Sequence, residues 1–226
     1  MGKIKIVKKE EPQICEVEFL REQYETEGQY QVKMLMFGDN YTVAGDSYRT
    51  YLTPEAVKEI FDYIKWGEID RENTAEQGGF LIGRYLYDPE KKWNIAIVET
   101  AIPARHARGS IGTLEIQNQD MLEMHQQLDM INNTRSEEDK FLVLGWFHTH
   151  PNTLDVFMSG TDRYTQRTFF SGERALAIVL NPHRKIWKCF RSAECHDTMA
   201  EMMIDERLLG KYEKKRLLNE RFRFGE

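Results

Sequence analysis

The run FLVLGWF at residues 141–147 holds only apolar residues and one glycine, and His148-Thr149-His150-Pro151 follows it directly. A continuous apolar run of this length marks a strand buried on both faces. Such a strand must lie inside a sheet with something packed above and below it. Side chains two apart on a strand share a face. His148 and His150 therefore project side by side from the strand's end, while Thr149 turns away and Pro151 stops the pairing. Two of the chain's six histidines sit in this one feature.

The rest of the sequence supplies the other elements. Thr53 can cap a helix, Pro54 suits its first position, and Glu55 complements its positive end. Val57, Ile60, Phe61 and Ile64 then form one apolar stripe, with Gly67 as a terminator. GGFLIGRYLY, the turn DPEKK and WNIAIVETAI read as a hairpin. Residues 103–115 read as a loop. A second helix from about Ile116 carries Met121, Met124, Leu128 and Ile131 on one side, and the charged NTRSEEDK is an exposed connection. ALAIVL, the turn NPHRK and IWKCFRS form another hairpin. CEVEFL and YQVKMLMF suggest an N-terminal β extension over residues 1–50. MAEMMIDERLLGKYEKKRLL reads as a helix interrupted near Gly210, so residues 196–226 are expected to be a helical segment. Mixed strands with helices around them predict an α/β class, a three-layer mixed β-sheet flanked by helices.

The 37 acidic and 31 basic residues give a formal charge of −6, opposite to the basic excess of a nucleic-acid surface. Cys15, Cys189 and Cys195 form a sparse, odd set without framework spacing, as expected in a reducing compartment. MGKIKIVKKEE has no apolar stretch behind its lysines and does not read as a signal peptide. Gly2 lacks the Ser or Thr of a myristoylation site. No run approaches the roughly 18 apolar residues of a membrane span. A soluble, cytoplasmic protein with no nucleic-acid or membrane partner is the expectation.

Two imidazoles side by side can share one cation at about 2 Å, the Zn–N distance. A third ligand must come from elsewhere. Asp162, twelve positions after His150, becomes available once the loop turns back. Two histidines, one carboxylate and one open position describe a catalytic zinc site. An isolated His-x-His is more often a pair of edge histidines, so a second match is needed.

That match lies upstream, where EQGGFLIG places Glu76 ahead of Gly79, Leu81 and Gly83. With His148-Thr149-His150-Pro151 and then Ser159-Gly160-Thr161-Asp162, the chain resembles the JAMM (MPN-plus, Mov34-type) zinc metallopeptidases. Their pattern is E-x-x-G-x-L-x-G, H-[ST]-H-P and S-x-x-D, in that order. The resemblance runs from roughly Leu52 to Ser192. It implies the three-layer, cytidine-deaminase-like MPN fold, with residues 51–195 as the catalytic domain. Eight residues, PNTLDVFM, separate His150 from Ser159, where the family has seven. One added residue in a surface loop costs little. Asp155 is the competing carboxylate, but choosing it leaves the S-x-x-D unit unexplained.

The resemblance implies one catalytic Zn²⁺ held by His148, His150 and Asp162. It implies Glu76 as the general base and acid, outside the ligand set, and Ser159 as a donor to the oxyanion; Ser159 could equally cap a helix. It further implies hydrolysis of the isopeptide joined to the C-terminal tail of ubiquitin or a ubiquitin-like protein, with residues 103–115 and 151–161 as the lips of the channel. The short chain is most similar to stand-alone bacterial members, some of which share operons, antiviral ones included, with activating and conjugating enzymes. Processing of a sulfur-carrier protein's C-terminus and a metal-free MPN scaffold are the alternatives. Cys195-His196 gives a weak thiol-nucleophile reading, because adjacent residues rarely face each other. His106, His125 and His183 read as solvated or supporting, His106 with a possible place along a substrate path. Trp146 and Trp187 read as core.

Overall fold

The computed structural model describes residues 32–35, 47–69, 72–110, 112–205, 207, 208 and 211. Chain order begins with β1 (Val32–Leu35), β2 (Tyr48–Leu52), α1 (Pro54–Tyr63), β3 (Gly78–Asp88) and β4 (Trp93–Pro103). A small ribbon, β5 (Arg108–Gly109) and β6 (Leu114–Glu115), precedes α2 (Asn118–Asn132). Then come β7 (Leu142–Thr149), α3 (Gly160–Phe169), β8 (Leu176–Asn181), β9 (Ile186–Arg191), β10 (His196–Asp197) and β11 (Ala200–Asp205).

Local chemistry starts α1 as the sequence leads one to expect, but stops it earlier. Thr53 Oγ1 accepts from the Ala56 amide at 3.2 Å, opening α1 with Pro54 in its first turn. The helix ends at Tyr63, and Lys65 rather than Gly67 is the first residue to take a left-handed conformation (φ 54°). β3 and β4 form the antiparallel hairpin, and β8 and β9 form another.

The described strands other than the β5–β6 ribbon make one mixed sheet in the order β1-β11-β2-β4-β3-β7-β8-β9-β10. β7 is interior, antiparallel to β3 and parallel to β8. Val57, Ile60 and Phe61 of α1, with Ile64 just beyond its last residue, pack on one face with Leu81, Val98, Leu144, Phe147 and Ile178. On the other face, Met124 and Leu128 of α2 pack with Phe80, Ile82 and Ile102. Trp146, Ala177, Val179 and Phe190 continue that second layer next to α3. This is the three-layer α/β arrangement.

Alternation along β7 is broken once. The β3–β7 register shifts between Leu81 and Ile82, opposite Gly145 and Val143, so Leu144 is an extra residue. Leu144 and Phe147, three apart, therefore both face α1, while Trp146 packs in the opposite layer. A bulge of this kind re-aims side chains. Here it sends Trp146, and with it His148, towards α3. Only glycine fits at 145, because a Cβ there would lie 2.0 Å from the Leu176 carbonyl oxygen.

Two expectations need correction. The C-terminal stretch is not helical over 200–205: β11 runs parallel to β2 and antiparallel to β1. Met202, Met203 and Ile204 are all buried, so an apolar triplet that looks like one side of a helix is an interior strand with both faces covered. Burial in a sheet overrides helical propensity here. Beyond residue 205, the described residues of that predicted helix, Arg207, Leu208 and Lys211, are helical, and the others lie outside the described residues, as does CEVEFL in the N-terminal extension. The predicted loop 103–115 also contains the β5–β6 ribbon. No helix among the described residues is long and apolar enough to cross a membrane.

Candidate metal centre

β7 brings His148 to the face that α3 covers, and His150 follows directly beyond the strand's last residue, its amide donating to the Leu180 carbonyl at 2.8 Å. Asp162 arrives from the first turn of α3. The S-x-x-D spacing has a local cause: it is a capping box. Ser159 Oγ accepts from the Asp162 amide at 3.2 Å, and Asp162 Oδ2 accepts from the Ser159 amide at 2.7 Å. The helix cap thus fixes the carboxylate in position. Asp162 Oδ1 lies 3.2 Å from His148 Nε2, and Oδ2 lies 3.5 Å from His150 Nε2. One potential ligand atom from each of the three buried residues falls within 4.8 Å of the others.

The tautomer of His150 follows from its partner. Its Nδ1 is 2.8 Å from the Asp155 carbonyl oxygen, which can only accept, so Nδ1 carries a hydrogen. Nε2 is then left facing the Asp162 carboxylate with either a lone pair or a second proton. A lone pair opposite an anionic oxygen is repulsive unless a cation stands between them. Metal-bound histidines are commonly held in this way, with the second ring nitrogen donating to a carbonyl.

His148 makes the same case more strongly. It is fully buried, and neither ring nitrogen has a hydrogen-bond partner of good geometry despite the nearby carboxylate. An unsatisfied buried polar side chain is expensive. Its ring stacks on Trp146, 4.4 Å between centroids and 14° from parallel. Trp146 Nε1 donates to Gln166 Oε1 at 2.7 Å, and Gln166 Nε2 donates to the Phe170 and Ala175 carbonyls. The orphaned nitrogen and the anionic donor set fit a divalent cation such as zinc.

The electrostatics are consistent. Burial, outweighing the Asp162 carboxylate, lowers the pKa of His148. Burial alone would push His150 down, but the carboxylate of Asp162 and the Asp155 carbonyl raise it. Burial would push Asp162 up, yet both imidazoles and Ser159 hold it far below the usual carboxylate range.

Glu76 sits two residues before β3, and a reciprocal pair of bonds pins its neighbour to β7. The Gln77 amide donates to Thr149 Oγ1 at 2.9 Å, and the Thr149 amide donates to the Gln77 carbonyl at 2.8 Å. Thr149 thereby ties the Glu76 segment to the residue between the two histidines. The Glu76 amide donates to the Ser110 carbonyl, and Gly109 passes so close that a Cβ would lie 2.0 Å from the Glu76 carbonyl oxygen. Burial raises the Glu76 carboxyl to about 7, opposed by His150 and assisted by Asp162.

The competing Asp155 faces elsewhere. Its carboxylate is exposed and 3.4 Å from Arg184; only its carbonyl serves His150. Cys195 is buried, and burial raises its thiol, which is unfavourable for a nucleophile. His106 is exposed, 3.3 Å from Glu123, and His125 packs edge-on to Phe80. Sequence reasoning missed Trp146 and Gln166 as supports for His148. The signal for Trp146 was available, since it lies two residues before His148 on the same strand face. Gln166 and the Asp155 carbonyl leave no such pattern.

Ser159→Ala is expected to remove both the cap and a hydroxyl donor. Stability should fall by about 1 kcal/mol and, if the hydroxyl serves an oxyanion, kcat by about 10²–10³. Ser159→Gly costs only a few tenths of a kcal/mol as a cap and should show the same kcat loss. Denaturant midpoints beside kcat separate the two effects.

Residues 46–171 match the family described as JAB1/Mov34/MPN/PAD-1 ubiquitin protease. The 26S proteasome non-ATPase regulatory subunit 14 of Drosophila melanogaster is 26% identical over 109 residues, 48% of this chain and 32% of the relative. The AMSH-like protease sst2 of Schizosaccharomyces pombe is 27% identical over 154 residues, 67% of this chain and 30% of the relative. The chain thus spans about a third of the length of these curated relatives. With more than half of its length matched, and with Glu76, His148, His150 and Asp162 inside the match, the chain belongs to the JAB1/Mov34/MPN/PAD-1 family.

Proposed function

We propose that the chain is a zinc-dependent peptidase of the isopeptidase type, releasing ubiquitin or a ubiquitin-like protein from conjugates or precursors. The observation that carries this reading is the buried cluster of His148, His150 and Asp162, with ring nitrogens turned on carboxylate oxygens and Glu76 within electrostatic reach. The description of the matched family as a ubiquitin protease supports the substrate class.

His148, His150 and Asp162 would hold the zinc, which when bound would supply Lewis acidity and lower the pKa of a water from 15.7 towards about 7. Glu76, ionised at neutral pH beside a divalent cation, takes the proton from the attacking water and returns it to the leaving amine. The Ser159 hydroxyl, whose oxygen already accepts the Asp162 amide, keeps its proton for the charge developing on the carbonyl oxygen. An extended substrate tail would lie between residues 103–115 and 151–161, pairing as an added strand.

The test incubates the full chain with fusions of ubiquitin, bacterial ubiquitin-like proteins and sulfur-carrier proteins, with and without a chelator. Expected are a product ending at the modifier's C-terminal glycine by intact mass, loss of cleavage on chelation, and recovery on adding zinc. Chelator-insensitive cleavage, or no cleavage by a zinc-loaded chain, would overturn the reading. Purification without stoichiometric zinc would point to the metal-free scaffold instead.

A further inference from the structure

One imidazole outside the His148, His150 and Asp162 cluster bridges the segment that follows His150 and the segment that precedes Glu76. His183 lies in the β8–β9 turn. Its Nδ1 accepts from the Asn152 amide at 2.8 Å, and its Nε2 lies 3.0 Å from Asn73 Oδ1. The amide can only donate and the amide oxygen can only accept, so the ring is neutral with its hydrogen on Nε2. Asn73 is fully buried, and its Nδ2 reaches the Glu68, Ile64 and Lys65 carbonyls at 2.7–3.4 Å, which fixes the orientation of its side chain.

The two anchored segments matter differently. Asn152 and its neighbours follow His150 and lead to Asp155, whose carbonyl holds the His150 ring. Asn152 takes a left-handed conformation (φ 62°), and Asn181 Nδ2 donates to the Asn152 and Leu154 carbonyls at 3.1 and 2.7 Å. Asn181 Oδ1 in turn accepts from the His183 and Arg184 amides. Asn73, on the other side, lies in the 3₁₀ turn Glu72–Thr74 that leads into Glu76.

We propose that His183 is a positioning residue that locks the His150 loop and the approach to Glu76 to each other, with Asn181 serving the first arm and Asn73 the second. The inference rests on the reading of Glu76 and the cluster as a hydrolytic centre. Residues that orient metal ligands typically affect metal affinity or activity by about 10–100-fold.

The experiment compares His183→Ala, His183→Asn and Asn73→Ala in three readouts. These are kcat and KM on a cleavable fusion, zinc affinity by chelator competition, and amide exchange in the metal-free chain. His183→Ala should weaken zinc and lower kcat, each by about 10–100-fold, with KM little changed. Asn73→Ala should lower kcat while zinc affinity stays within about twofold, well below that range. His183→Asn keeps an acceptor near Nδ1 but cannot reach Asn73, so it should retain zinc and lose kcat. Exchange at residues 151–155 should rise in His183→Ala and stay near wild type in Asn73→Ala.

Wild-type exchange at 151–155 in His183→Ala would overturn the proposal. A kcat loss equal to the fraction unfolded would do the same. If the wild-type chain cleaves no fusion, the proposed function falls, while the exchange and zinc readouts still decide this inference.

Discussion

Glu76→Gln is expected to keep its zinc and lose turnover by about 10²–10⁴-fold, the range a general base contributes. Glutamine has nearly the shape of glutamate and preserves the path of the segment, which backbone bonds from Glu76 to Ser110 and from Gln77 to Thr149 hold independently of the side chain. It cannot accept a proton. Glu76 lies outside the His148, His150 and Asp162 cluster, so the metal content of the variant should equal that of the wild type. Metal analysis beside single-turnover kinetics checks both halves. Retained turnover would remove Glu76 from the base role, and lost zinc would make it a ligand.

The same carboxyl gives a pH signature. Burial raises it to about 7 in the metal-free chain. As a base it must be ionised, so kcat/KM should fall towards acid with a limb controlled by this group. A divalent cation alongside favours the ionised form, so the limb of the zinc-loaded chain should lie below 7. For stability the sign is opposite. A carboxyl raised on folding stabilises the folded chain below its unfolded pKa, and that contribution disappears as pH rises through about 7. Glu76→Gln should therefore gain melting temperature over metal-free wild type at pH 8 and gain little at pH 5.

Much of this was legible because the governing chemistry is local. Thr53-Pro54 ahead of an apolar stripe carries a cap and a first-turn proline in adjacent residues, and the hairpins announce themselves by a turn between two apolar runs. The histidine pair is legible for the same reason, since period two places both on one face. Which face they occupy was not legible. It depends on the bulge at Leu144–Gly145, where the backbone passes so close to Leu176, 31 residues from Gly145 in sequence, that only glycine fits. β11 was misread because burial of Met203 between two strands has no sequence signature that distinguishes it from the inner side of a helix. In the S-x-x-D unit the sequence leads one to expect Asp162 as a ligand and Ser159 as an oxyanion donor, a helix cap or both. The fold makes it a cap that holds a carboxylate at the cluster, one geometry with two consequences.

Asp162→Asn and Asp162→Ala should each abolish tight zinc binding, with a loss beyond the roughly 100-fold upper range for outer residues. Asp162 supplies the negative charge of the cluster, and without it a divalent ion meets two neutral imidazoles. The two variants differ in a useful way. Asparagine keeps an oxygen that can accept the Ser159 amide and so preserves the helix cap, whereas alanine removes that bond as well. Because metal binds only the folded form, zinc at 100 times its Kd adds about 2.7 kcal/mol. In a chain of this size that raises the melting temperature by about 5–10 °C. Wild type should show this rise and both variants should lack it, each compared with itself with and without zinc, so that any change in metal-free stability cancels. A full rise in Asp162→Asn would remove Asp162 from the ligand set. The hydrolytic reading would then lose its metal before any substrate was tried.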